Sequence, residues 1–353
     1  VLLYIDSFDH YLTADAQQKY WLLGGGMAIG AGTGRHTSNS LRASAAGDTA
    51  IRPCAGSNAT VIVGVAVKSP LGGSPNVVLA IWDSGTAINQ VLFVLNADGT
   101  ISAWRGAPQP NGIGNTTQAT LLGTSLVALS ANVYSYLECR VVLSDTVGAI
   151  DVRSNGVPVL TLTGIDTVAS ASSVAPYWTS IALGTSMASP LAIDWDDLYV
   201  CDGAGAAPWN TFLGDCRVDP RRPTGPGATT DWAPTPAGAN WANVDDATPN
   251  GDTDYNSGTP NQVDLFDVQD IVAPGTLIFG VQHCFSMKKT DAGLCSVAPA
   301  VRHAGTTYVG TNMQPTVNYA MAGTQVAQTN PGTGAQWTEA DFNAAQFGYK
   351  RTV

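Results

Sequence analysis

The sequence predicts an all-β protein, with an N-terminal two-sheet β-sandwich, a second and smaller β-rich domain, and one short C-terminal helix. Three observations carry this. Charged residues make up only 12% of the 353 positions while 44% are hydrophobic, and long surface helices draw on the Glu, Lys and Arg that are scarce here. Thirty-eight glycines and 20 prolines punctuate the whole length, as short strands joined by turns require. Apolar residues recur with the period of two that marks a strand with one face inside. A chain this long buries one large core or two ordinary ones, and two domains is the better prior.

The N-terminal domain is assigned to residues 1–202. Its opening, "VLLYIDSFDHY", has no cationic lead and no small-residue cleavage site, so it reads as a strand and not as a signal peptide. "SNSLRAS" (38–44), "ATVIVGVAVKS" (59–69) and "PNVVLAIWDS" (75–84) are apolar runs bounded by Gly, Ser and Pro. "NQVLFVLNADGTISAWRG" (89–106) is two runs around Asp98-Gly99. In "YSYLECRVVLS" (134–144), Leu137, Cys139, Val141 and Leu143 share one face, with Glu138 and Arg140 on the other. Asn155-Gly156, inside "GAIDVRSNGVPVLTLTG" (148–164), tolerates the positive φ of a two-residue hairpin turn. A strand pair in "SIALGTSMASPLAIDWDDLYVCDG" (180–203) closes a set of about ten to twelve strands with almost no helix.

Residues 203–262 are crowded with Gly, Pro, Asn, Asp and Thr yet keep Trp209, Trp232 and Trp241. Disordered linkers rarely carry such aromatics, so this stretch reads as an irregular but ordered connection. The second domain, 263–353, takes strands from "QVDLFDVQDI", "GTLIFGVQHCFSMKKT", "LCSVAPAVRHAGTTYVG" and "TVNYAMAGTQVAQT". The tail holds the one persuasive helix, capped by Thr338 with Asp341 three residues on and Phe342, Ala345 and Gln346 along the following turns.

Composition excludes several functions. A net charge of −11 without any basic run argues against nucleic acid, and no apolar run nears the roughly 20 residues that span a bilayer. The six cysteines (54, 139, 201, 216, 284, 295) form no C-x-x-C pair, so neither a structural metal nor a cofactor is expected. Cys139 reads as a small buried hydrophobe; Cys201–Cys216 and Cys284–Cys295 are left open as bridges.

"GTSMASP" (184–190) matches the serine motif of subtilisin-like proteases, and Asp6, His36 and Ser186 follow that family's chain order. The surroundings do not match. Phe8 stands in the glycine position after the aspartate, and His36 is followed by Thr37-Ser38 without a glycine or a second histidine. Strand-forming residues replace the long helix expected after Ser186. No peptidase activity is expected.

"DWDD" invites comparison with the paired carboxylates of sandwich glycosidases, with Asp194 and Asp196 on one face and Asp197 opposite. That pattern uses glutamates, absent here, so strand-end aspartates satisfying loop amides are the better reading. "DDATPNGDTDYN" (245–256) is read as a solvated turn, with calcium the alternative, because the EF-hand glutamate is missing. His10, His36, His283 and His303 share no ligand spacing. Trp82, Trp104, Trp178 and the three later tryptophans could stack on sugars, but core packing is their default. No catalytic, cofactor or metal residue is therefore assigned.

Residues 134–202 resemble the last half of a concanavalin A-like (laminin-G-like) jelly roll. The likeness rests on "YSYLECRVVL", the 148–164 hairpin, and "AIDWDDLYVCDGAG", which would return beside "LLYIDSFDHY". The second half is similar to virion proteins of tailed bacteriophages, through "FLGDCRVDPRRPTGPGATTDWAPTPAGANWANVDDATPNGDTDYNS" and "TNPGTGAQWTEADFNAAQFGYKR". This resemblance implies a non-enzymatic structural protein of the virion, assembled in the bacterial cytoplasm, on a tail fibre, adhesin or tail tip. Its implied partners are other virion proteins, further copies of itself and a host-surface glycan. A capsid-decorating or head-fibre protein and a glycan-degrading tail enzyme are the alternatives.

Overall fold

A computed structural model describes residues 1–353 apart from 21, 74, 85–87, 109–118, 170–175, 185–191, 274 and 322–324; for 55–58 and 107–108 it describes the backbone alone. The described residues are all-β, with two short α-helices. They form two compact units, one of residues 1–9 and 20–218, the other of residues 10–19 and 219–353.

The chain begins with β1 (Leu2–Asp6), α1 (Thr13–Lys19), β2 (Leu22–Gly24), β3 (Ala28–Gly30), β4 (Ser40–Ala43) and β5 (Thr49–Asn58). It continues with β6 (Thr60–Lys68), β7 (Asn76–Asp83), β8 (Ile88–Leu95), β9 (Ile101–Pro108) and β10 (Thr120–Thr124). Then come β11 (Ser135–Val142), β12 (Gly148–Ser154), β13 (Val157–Ile165), β14 (Trp178–Gly184) and β15 (Ile193–Cys201).

In the first unit these strands make two antiparallel sheets. One runs β13-β12-β11-β6-β15-β4-β3, with β1 also on β15; the other runs β10-β9-β8-β7-β14-β5-β2. The expected return of the early segment beside the late one is present, with Leu2 opposite Cys201 and Asp6 opposite Leu198. The run 180–203 differs from its expectation. β14 and β15 do not pair but lie in opposite sheets. α1 is a second departure, a seven-residue helix whose polar sequence TADAQQK carries little amphipathic signal.

β7 and β15 are buried at every position, so both faces of these central strands are covered. Two tryptophans tie the sheets reciprocally. Trp195 on β15 donates Nε1–H to the Val78 carbonyl of β7 at 2.9 Å. Trp178 on β14 donates to the Thr60 carbonyl of β6 at 3.0 Å. Each indole thus fills the inter-sheet space and satisfies its one polar atom on the opposite sheet.

The Asn155-Gly156 turn is a two-residue hairpin with φ of 50° and 78°. The Asn155 carboxamide oxygen also accepts from the Tyr136 amide at 2.8 Å, fixing the turn to β11. Gly156→Val is expected to lower stability by about 1 kcal/mol or more through the forced positive φ. An unchanged melting temperature would refute the strain.

The second unit continues with β16 (Pro223–Thr230), β17 (Ala233–Thr235), β18 (Tyr255–Ser257), β19 (Val263–Val268), β20 (Val281–His283) and β21 (Val297–His303). It ends with β22 (Thr306–Val309), β23 (Gln325–Ala327), α2 (Glu339–Asn343) and β24 (Gln346–Arg351). Its main sheet runs β16-β19-β24-β21-β22, and β17-β18 and β20-β23 form two-stranded ribbons. The Gly/Pro-rich stretch 203–262 therefore contributes an edge strand. A Cβ at Gly227 would collide with the Leu265 backbone of β19, so glycine is what lets that strand approach.

Thr338 and Asp341 form the expected capping box, but the helix ends at Asn343 and Gln346 already opens β24. Ile278, Val301, Trp337, Phe342, Ala345 and Phe347 form the core beneath α2. The connection is held by its own amides. Asn243 Nδ2 donates to the Thr235 and Tyr255 carbonyls at 3.2 and 3.1 Å, and Asn256 Nδ2 to the Asn240 carbonyl at 2.8 Å. Trp232 meets the Tyr349 ring edge-on at 4.7 Å.

Candidate functional site

The chemistry-bearing residues of the first unit gather on the outer side of β15. Along one edge this strand pairs with β4 as far as Trp195 and with β1 from Leu198. Along the other it pairs with β6 through a bulge between Asp196 and Tyr199. Asp196 and Asp197 lie where the partner strand changes, and Asp197 takes the left-handed conformation (φ 51°) that aspartate tolerates better than most residues. Loop amides left without a ladder partner need acceptors there.

The aspartates supply them. Asp196 accepts from the Arg35 amide at 2.6 Å, the Ser38 hydroxyl at 3.1 Å and the Asp197 amide at 2.8 Å. Asp197 accepts from the Val218 amide at 2.8 Å and pairs with Arg35 Nη1 at 3.1 Å. Strict alternation separates these two side chains; the bulge brings both to Arg35. The Arg35 guanidinium also reaches Asp215 at 2.8 Å and the Cys216 carbonyl at 3.3 Å, over the Tyr136 ring. Asp194 accepts from the Ser40 hydroxyl at 3.0 Å and faces Lys68 at 3.3 Å and Arg42 at 3.6 Å.

All three aspartates are buried, at most 3% exposed as whole residues. Burial, then the neighbouring Asp197 charge, raises the Asp196 carboxyl to about 7. Burial also raises Asp197, against the opposing pull of the Val218 amide and Arg35.

A second buried acid sits two strands away. Tyr199, Gly64 and Glu138 are aligned across β15, β6 and β11. The Tyr199 ring lies over Gly64, where a Cβ would collide with it, and its hydroxyl reaches Glu138 Oε1 at 2.5 Å. The Gly214 amide donates to the same oxygen at 2.8 Å, and the Leu213 amide donates to the Tyr199 hydroxyl at 3.1 Å. Alternation predicts an outward Glu138; it is outward but fully buried, because residues 213 and 214 bond over it. Gly64→Ala is expected to displace the tyrosine and destabilise the unit by about 1–3 kcal/mol. Chemical denaturation would measure this, and an unchanged midpoint would contradict the ring's placement.

The other sequence candidates are dispersed. Asp6 accepts from the Tyr4 and Tyr20 hydroxyls at 2.6 and 3.0 Å. His36 is exposed in the Arg35–Thr37 turn, and Ser186 lies outside the described residues. His10 lies 3.0 Å from Lys19. His283 is buried, which lowers its pKa to about 4, and His303 faces Asp341 at 3.4 Å. In the 245–256 loop, Asn250 Nδ2 donates to Asp246 and Asp254 at 2.6 and 2.7 Å, while Asp252 pairs with Lys288 at 2.5 Å. Among the described residues no group of three or more His, Cys, Asp or Glu is placed to hold a metal ion.

All six thiols are free; burial raises those of Cys54, Cys201 and Cys216 to about 12. Trp82 and Trp178 are core residues, whereas Trp104, Trp209, Trp232 and Trp241 are half-buried. Sequence reasoning missed Arg35, Tyr136 and Tyr199. The available signal was an arginine beside the histidine that drew attention, and a glutamate that is one of only two in the chain.

No family model and no curated protein matches the chain. Among solved structures, a cellulose-induced protein is similar at 16% identity and a TM-score of 0.37, over 51% of this chain and 86% of that one. Domain 4 of an extracellular arabinanase of Geobacillus stearothermophilus is similar at 16% identity and a TM-score of 0.37, over 56% and 91%. A carbohydrate-binding module of Bacillus subtilis is similar at 6% identity and a TM-score of 0.29, over 45% and 90%.

Proposed function

We propose that the chain is a non-enzymatic structural protein of a tailed-bacteriophage virion, a tail fibre, adhesin or tail-tip component that meets a host-surface glycan. The virion assignment rests on the likeness of 212–257 and 329–351 to phage virion proteins. The observation that favours attachment over catalysis is the state of the outer carboxylates. Asp194, Asp196, Asp197 and Glu138 are buried and bonded by residues of their own unit, which makes a fixed surface and leaves no exposed pair to activate water.

One observation favours a glycan-degrading tail enzyme instead. A carboxyl raised to about 7 beside a second carboxylate is how a general acid is tuned. Antibody against the purified chain, imaged on particles whose genome encodes it, tests the proposal. Labelling at the tail is the expected result; labelling on the head supports decoration, and none defeats a virion role. Host-surface polysaccharide should survive incubation with the protein. Chain cleavage that Asp196→Asn abolishes would establish the enzyme.

A further inference from the structure

In a chain of net charge −11, one cleft of the first unit carries an excess of positive charge. Its volume is about 150 Å³, and Thr33, Arg42, Lys68, Ser69, Asn132 and Asp194 are among the residues lining it. Two cations face one carboxylate. Lys68 is committed, because its Nζ donates to the Thr33 carbonyl at 2.7 Å, faces Asp194 at 3.3 Å and lies 4.6 Å from the centre of the Tyr134 ring. The Tyr134 hydroxyl donates to the same carbonyl at 2.8 Å, so this floor is fixed.

Arg42 is not committed in this way. Its Nε lies 3.6 Å from Asp194, its side chain is 39% exposed, and neither terminal nitrogen has a partner among the described residues. That leaves a planar fork, anchored on one side and open on the other, which is the geometry that grips a carboxylate with two parallel bonds. Asn132 stands at the rim in the left-handed conformation (φ 59°), its amide held by the Ser69 carbonyl at 2.8 Å. Its exposed carboxamide bonds nothing among the described residues, and a carboxamide both donates to and accepts from hydroxyls. Cavities of about this volume hold a six-membered ring.

We infer that the Arg42–Asn132 cleft binds one acidic sugar residue, its carboxylate on the Arg42 fork and its hydroxyls on Asn132. The inference rests on the attachment reading and names the glycan class that reading lacks.

The test titrates the full chain with D-glucuronate, D-glucose and inorganic phosphate, following the Arg42 side-chain and Asn132 amide signals by NMR. Glucuronate is expected to shift both signals with a dissociation constant in the millimolar range, and glucose and phosphate to bind at least about tenfold more weakly. Arg42→Gln and Asn132→Asp, the second placing a negative charge at the rim, should each weaken glucuronate by about tenfold or more. No glucuronate binding, equal binding of glucose or phosphate, or binding unchanged in both variants overturns the cleft. Adhesion of labelled full-length protein to host cells is scored separately. Adhesion that both variants retain, with no glucuronate binding, sinks the cleft and spares attachment. Glucuronate binding without adhesion sinks attachment and spares the cleft.

Discussion

Trp195→Ala is expected to cost the sandwich about 4 kcal/mol, since large-to-small replacement of a buried aromatic loses its transfer energy and leaves a cavity. Trp195 is fully buried, and it is also one of the two indoles that cross the sandwich. Truncation therefore leaves the Val78 carbonyl without its donor at the same time. Trp195→Phe separates the two contributions. It keeps most of the apolar volume but orphans the carbonyl, and should cost about 1–3 kcal/mol. Trp178→Phe should behave alike, because Trp178 makes the reciprocal bond from the opposite sheet. Equilibrium denaturation followed by tryptophan fluorescence measures all three. A loss below 1 kcal/mol for the alanine variant would mean that the sheets are not tied through this residue.

Arg35→Ala is the second large effect. Removing the half-buried Arg35 leaves the buried Asp197 carboxylate without its ion-pair partner, and about 1–3 kcal/mol is expected. Asp197 has Arg35 as its only ion-pair partner among those the described residues provide, and it is almost wholly buried. The loss should depend on pH. The folded-state pKa of Asp196, about 7, exceeds the unfolded value near 3.9. Between these values the folded protein binds more protons than the unfolded one. The stability due to Asp196 is thus complete below about pH 4 and falls as pH rises through 7, by up to about 1.4 kcal/mol per unit. Asp197, also raised, acts in the same direction. Asp196→Asn should flatten the profile, and Arg35→Ala should be costlier at pH 8 than at pH 5. A wild-type minus Asp196→Asn difference that does not vary with pH would refute the buried acid.

Much of the fold was legible because single strands announce themselves locally. β6, β7, β11 and the β12–β13 hairpin are apolar or alternating runs between turn residues, and each appears within a residue or two of its expected bounds. What is set by distant partners was not legible. β14 and β15 are neighbours in sequence, which suggests a hairpin, yet each finds its partners in a different sheet. β16, "PTGPGATT", carries the residues that usually break strands, and pairs because Gly227 admits β19. The site is harder still. Arg35 and Asp196 are 161 residues apart, and a bulge at Asp197 decides which carboxylates converge. Neither fact leaves a periodic trace. The aspartates were singled out, and their role of accepting from loop amides holds for Asp196 and Asp197. They lie inside β15, however, with partner strands on both edges and not at a strand end. The arginine organising them was not foreseen.

The second unit includes α1, and this bears on how the chain is made. The Gln18 carboxamide oxygen accepts from the Met321 amide at 2.6 Å, across 303 residues of sequence. At ribosomal speeds of about 5–20 residues per second, the helix waits roughly 15–60 s for that partner to be synthesised. Within the same interval β15 is made and reaches β1, only a few residues before the helix. The sandwich can therefore close around both sides of a segment still lacking its own unit. A fragment beginning near residue 219 never receives α1 at all, and one ending near 202 carries it without a destination. Co-expressing the two pieces would have to restore by diffusion what the continuous chain does by tethering, so the natural point of division in this protein is not a point along its sequence.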